Sequence, residues 1–138
     1  MDITSDIITL FNTNPLYQTI GIRLEEAAEG KARSILTPKA EVCWPTLNQP
    51  HGGILFTTMD TTMAWAVLSL TDPDYSCTTI DCTIQYPAPA KDGPYFCRAW
   101  TTHQTGQLAF VRADITDVQE TVVALGQATF RIIKMKFI

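Results

Sequence analysis

The chain has 138 residues, 46% of them apolar and 17% charged, with a formal net charge of −4. That is apolar material for one domain with a packed core over residues 1–138, in too short a chain for two. The acidic balance, with no basic run, leaves no footprint for nucleic acid, and the composition excludes a disordered chain.

The first stretch, MDITSDIITLFNTNP, carries Asp2 and Asp6 where a secretory signal has basic residues, so a cytoplasmic location is expected. There Cys43, Cys77, Cys82 and Cys97 are expected as thiols acting as small buried apolar residues. No C-x-x-C pair occurs and the two histidines lack paired-ligand spacing, so no metal is expected. Residues 5–11 predict a short amphipathic helix, with Ile7, Ile8, Leu10 and Phe11 on its apolar side, ended by Asn14-Pro15. Residues 20–28 and 31–37 predict strands joined through Glu29-Gly30. Residues 38–49, interrupted by Pro45, read as irregular.

The greasiest segment follows. Residues 51–70 predict a long helix, capped by Asn48 or Gln49, with Pro50 in its first turn and TDPD as its stop. Beyond it, residues 78–86 alternate. Thr78, Ile80, Cys82, Ile84 and Tyr86 share one face, and Thr79, Asp81, Thr83 and Gln85 the other, which puts Cys77 and Cys82 on opposite faces. After the loop PAPAKDGP, residues 95–102, 108–117 and 121–133 predict strands separated by HQTG and DVQE, spacings that suit antiparallel hairpins.

A helix apolar on every side needs burial on most of its surface. One antiparallel sheet curled around it supplies that and leaves an edge for a second copy, so the expected fold is α+β and homodimeric. The helix is not expected to cross a membrane, because Asp60 near its centre costs roughly 2.5–3.5 kcal/mol there.

Asp60 is the only full charge between Glu41 and Asp72 when His51 is counted as neutral. An acid in apolar surroundings is a stronger base than one in water, and could activate a water or attack a carbonyl itself. Gly52 and Gly53 open the helix, where backbone N–H groups lack partners and the dipole is positive, so a carbonyl oxygen could approach closely. Base and oxyanion hole together suffice for hydrolysis of an activated acyl group. On a helix the nine residues from His51 to Asp60 turn through about 900° and rise about 13.5 Å. The two point in opposite directions, so if they cooperate the site lies between two subunits.

The segment HGGILFTTMD resembles the signature of hotdog-fold acyl-CoA thioesterases, nearest to the phenylacetic-acid-degradation (PaaI-type) branch, in which six residues separate His-Gly-Gly from the acid. TTIDCTIQYPAPAKDG, HQTGQLAFVRADITD and VVALGQATFRI are similar to later strands of that family, so the likeness spans roughly residues 21–133. It implies a hotdog dimer with its sheets joined edge to edge, possible pairing of dimers, two interfacial sites, and hydrolysis of an acyl-CoA or acyl carrier thioester. No cofactor is implied beyond the coenzyme A of the substrate. Asp60 would be base or nucleophile, the Gly52 N–H the oxyanion donor and His51 its support. Thr78 matches the place of a Ser or Thr that helps hold the attacking water, and Asn48, Gly53 and Thr79 beside these positions are further candidates, with Thr78, for binding substrate.

The chain departs from its relatives in two places. Pro45 stands where they often have Asn, with Asn48 where they often have Gly, and Pro87-Ala88-Pro89 replaces Leu-Arg-Pro. The lost Arg removes one phosphate contact for coenzyme A, for which Lys91, Arg98 and Arg112 are alternatives. A non-catalytic acyl-CoA-binding dimer and a hotdog hydratase or dehydratase are the competing readings. Trp44, Phe56, Trp65, Tyr86 and Trp100 could line an acyl pocket, though about three of the five are expected in the core.

Overall fold

The computed structural model describes residues 1–91 and 93–136. Helix α1 (Ser5–Asn12) is followed at once by a second, α2 (Pro15–Ile20). Asn14-Pro15 therefore starts a helix as well as ending one. Asn14 Oδ1 accepts from the Leu16 N–H at 2.8 Å, and Pro15 takes a first-turn position where its missing donor costs nothing. Ile20 belongs to this helix and not to a strand. Gly21 closes it with φ +91°, and its carbonyl accepts from the Thr37 N–H at 2.8 Å.

Strands β1 (Ile22–Ala28) and β2 (Lys31–Leu36) meet at Glu29-Gly30, both with positive φ as a tight hairpin turn requires. Two residue pairs, β3 (Cys43–Trp44) and β4 (Gln49–Pro50), then form a small ribbon whose turn places Asn48 at φ +49°. Neither Asn48 nor Gln49 caps the long helix α3 (Gly52–Leu68), and Pro50 precedes it in β4; His51 is the N-cap. Strands β5 (Tyr75–Gln85), β6 (Tyr95–Thr105), β7 (Leu108–Thr116) and β8 (Val122–Lys134) complete the fold. β6 passes residue 102 because a bulge between Thr101 and His103 lets pairing with β7 resume.

Six strands make one antiparallel sheet in the order β1-β2-β6-β7-β8-β5, with α3 packed on one face. Register explains how the helix comes so close. Ala27, Ala32, Ala99, Ala113 and Gly126 are opposite one another in turn across five strands, and Gly126 is opposite Ile84 on β5. This row of minimal side chains forms a shallow trough for α3. The buried threonines of the helix satisfy themselves, Thr58 bonding to the Ile54 carbonyl and Thr62 to that of Thr58. Thr62 also meets Ser34 across the core at 2.6 Å. Near the other end of the helix, Trp65 is 2% exposed, donates to Tyr17 Oη at 2.7 Å and packs edge-on against Phe11. It is the one buried member of the aromatic set; Trp44 and Tyr86 are about half exposed.

β5 is an edge strand, bonded to β8 on one side. A bulge at Ile80 breaks its simple alternation. Cys77 and Thr79, opposite Ile132 and Phe130, face the helix with Cys82 and Ile84, while Thr78, opposite Arg131, faces away. Cys77 and Cys82 thus share a face, contrary to the unbroken period-two expectation. Five extended residues still hold the thiols about 16 Å apart. No helix among the described residues is long and apolar enough to cross a membrane.

Candidate active site

Asp60 lies midway along α3 on the side that meets β5, and is half-buried. Its Oδ1 accepts from Thr79 Oγ1 at 2.8 Å. Oδ2 has no hydrogen-bond partner among the described residues, so one carboxylate oxygen is fixed and the other is free to hold a water. Of the two threonines singled out from the sequence, Thr79 reaches the acid. The bulge turns Thr78 to the opposite face of the sheet.

Two thiols on β5 flank the carboxylate. Burial, then the charge of Asp60, pushes Cys77 up to about 12; burial, Asp60 and Asp81 together push Cys82 up to about 11. Both stay protonated at neutral pH and add neither charge nor a rival nucleophile.

At its N-terminus the helix offers a donor. His51 Nδ1 accepts from the Gly53 N–H at 2.9 Å and the His51 carbonyl accepts from the Ile54 N–H at 2.8 Å. The accepting Nδ1 puts the ring proton on Nε2. Gly53 is therefore engaged, and the Gly52 N–H is left with no partner among the described residues. The Trp44 ring lies 5.2 Å from that of His51. On the other side Tyr86 Oη donates to the Gly52 carbonyl at 2.7 Å, a contact that nothing in the period of β5 announces. Between them opens a cavity of about 360 Å³, walled by Trp44, Leu55, Tyr86 and Pro87 with Gly52 in its lining. Asn48 lines a second cavity of about 280 Å³ that shares Pro50 with the first and has Lys91 at its rim. Arg98 is instead held by Asp114 at 3.0 Å, and Arg112 lines clefts with Gln127 on the sheet face turned away from the helix.

Gly52 and Asp60 are about 12 Å apart along the helix axis. An oxyanion donor must sit about 3 Å from the carbonyl oxygen and a base within about 3 Å of the water that attacks the same carbon. One chain cannot bring its own two parts to one thioester. Among the described residues no three His, Cys, Asp or Glu side chains cluster as metal ligands.

The family model of the thioesterase superfamily matches residues 50–124, more than half of the chain and the stretch that holds both Gly52 and Asp60. A protein of Halobacterium salinarum named as a candidate esterase is 27% identical, over 86% of this chain and 85% of its own. A conserved protein of Pseudomonas aeruginosa superposes with a TM-score of 0.81 at 28% identity, covering 87% of this chain and 94% of that one. The E. coli PaaI protein of the phenylacetic acid degradation operon superposes with a TM-score of 0.82 at 25% identity, covering 93% and 91%. A Haemophilus influenzae thioesterase reaches a TM-score of 0.89 over 98% and 94% at 15% identity, a likeness of fold.

Proposed function

The chain belongs to the thioesterase superfamily and is a thioesterase of the hotdog fold, and from that premise we propose that it hydrolyses an acyl-coenzyme A or acyl carrier thioester at a site shared by two protomers. The observation that carries the reading is the pair of unspent groups on one helix, the Gly52 N–H and Asp60 Oδ2, too far apart to serve one carbonyl within a chain. In a homodimer, Gly52 of one protomer polarises the thioester carbonyl and Asp60 of the partner subunit activates water or attacks. The products are the free acid and the thiol, and no cofactor takes part beyond the coenzyme A of the substrate. His51 supports the donor through Gly53, while Asn48 and Lys91 line the second cavity, which would receive the thiol arm and its phosphates.

The free edge of β5 is the natural seam. In an antiparallel pairing the residue numbers of facing positions have a constant sum. A twofold axis near residues 82–83 would set the Tyr86 end of one protomer, with its Gly52, beside Thr79 and Asp60 of the partner subunit.

The purified protein is expected to release thiol from at least one member of a panel of aryl, short-chain and long-chain acyl-CoAs. Binding of acyl-CoA by calorimetry with no release from any of them would overturn hydrolysis in favour of a binding protein. Thr79→Val is expected to lower kcat roughly tenfold by freeing the carboxylate to rotate, the loss of one charge-assisted hydrogen bond. An unchanged kcat would remove Thr79 from the site.

A further inference from the structure

The peptide that joins Gly52 to Gly53 is gripped at both ends by side chains. Its carbonyl accepts from Tyr86 Oη at 2.7 Å, and its N–H donates to His51 Nδ1 at 2.9 Å. Glycine has the widest backbone freedom of any residue, and two in succession make the start of a helix easy to twist. That plane adjoins the Gly52 N–H, which has no partner among the described residues and belongs to a residue that lines the cavity. That N–H belongs to the adjoining 51–52 peptide, whose carbonyl accepts from the Ile54 N–H at 2.8 Å, so with the 52–53 plane also held the dihedrals of Gly52 between the two are confined and the direction of the N–H with them.

We propose that Tyr86 is a positioning residue for thioester hydrolysis, whose hydroxyl locks the Gly52–Gly53 peptide so that the Gly52 N–H faces the substrate carbonyl. The proposal rests on the reading of Gly52 as oxyanion donor. Tyr86 is 47% exposed just beyond the end of β5, so the core does not need it. Its ring is pressed against the backbone of Gly52, where an added Cβ would sit 3.2 Å from Cζ. Ring and glycine are thus fitted to each other at the one place where a carbonyl must come close to the main chain. Burial raises the Tyr86 hydroxyl above its ordinary value, so it stays a donor throughout the neutral and mildly alkaline range.

A loosened donor costs little while the substrate carbonyl is neutral and much once charge develops on its oxygen. Tyr86→Phe keeps the ring and removes only the bond. It is expected to lower kcat roughly five- to tenfold, the worth of one such hydrogen bond, with KM changed less than twofold. The melting temperature should stay within a degree or two of wild type, and the Gly53 amide, whose bond to His51 Nδ1 shares the loosened peptide, should exchange with deuterium faster. An unchanged kcat with unchanged Gly53 exchange would overturn the proposal. So would a loss confined to KM, which would make Tyr86 a wall of the pocket. If the wild type cleaves no thioester in the panel, the oxyanion role of Gly52 falls and takes Tyr86 with it. An active wild type with an unaffected Tyr86→Phe sinks the positioning role alone.

Discussion

Asp60→Asn is expected to lower kcat roughly 10²–10⁴-fold, the usual worth of a general base, with the fold intact. The amide keeps an oxygen for the Thr79 hydroxyl to donate to, so the contact at 2.8 Å survives while the basicity is lost. Because Asp60 is a half-buried acid on an otherwise uncharged helix, its neutral isostere should not lower the melting temperature. A complementary variant is Gly52→Pro, which deletes the free N–H at the first helical position, where proline suits the backbone; its Cβ would press on the Tyr86 ring at 3.2 Å, and that ring, 47% exposed, can swing aside. Loss of one oxyanion donor should cost roughly 10²–10³-fold. Each variant alone is then nearly inactive. Unfolded together in equal amounts and refolded, they should regain roughly a quarter of wild-type turnover, since half of the symmetric dimers are mixed and each mixed dimer holds one complete site. Recovery of nothing would place base and donor in one protomer, against the helix geometry. Wild-type kcat in Asp60→Asn would end the role of the carboxylate.

The part of this site legible in the sequence is the part set by local order. A long apolar run interrupted by one acid, opening on two glycines, fixes a buried helix, a donor end and the separation of Asp60 from Gly52. The rest depends on register. Thr78 and Thr79 are adjacent and chemically alike, and a one-residue bulge at Ile80 decides which of them faces the helix. Tyr86 inherits its place over Gly52 from the same bulge, and Trp44 reaches His51 through a two-residue ribbon too short to have a period. Asn14-Pro15 was ambiguous for a different reason, since a capping residue followed by proline punctuates a chain without saying whether it closes or opens a helix. The family likeness names the hotdog fold, of which spacing alone gives only the curled antiparallel sheet around the helix.

Gly126→Val is expected to be the most destabilising change near the site that leaves both proposed reacting groups in place. Gly126 closes the trough of small residues under α3, and a Cβ there would sit 2.6 Å from the Thr83 carbonyl oxygen and 2.7 Å from Met59 Sδ. The thioether can swing away. The carbonyl belongs to the paired backbone of β5 and cannot move without parting β5 from β8 or lifting the helix. Overpacking of this kind costs roughly 3 kcal/mol, which in a chain of this size should lower the melting temperature by roughly 10 °C. The displaced residues matter for chemistry as well, because Met59 precedes Asp60 and Thr83 lies on the strand that carries Thr79. Any shift of helix against strand lengthens the bond between carboxylate and hydroxyl. At a temperature where the variant remains folded, kcat should therefore fall while KM holds, with Gly126→Ala intermediate in both stability and turnover. A Gly126→Val protein that melts with the wild type would mean that the trough is not what seats the helix, and that Asp60 owes its place to something other than the closeness of α3 to β8.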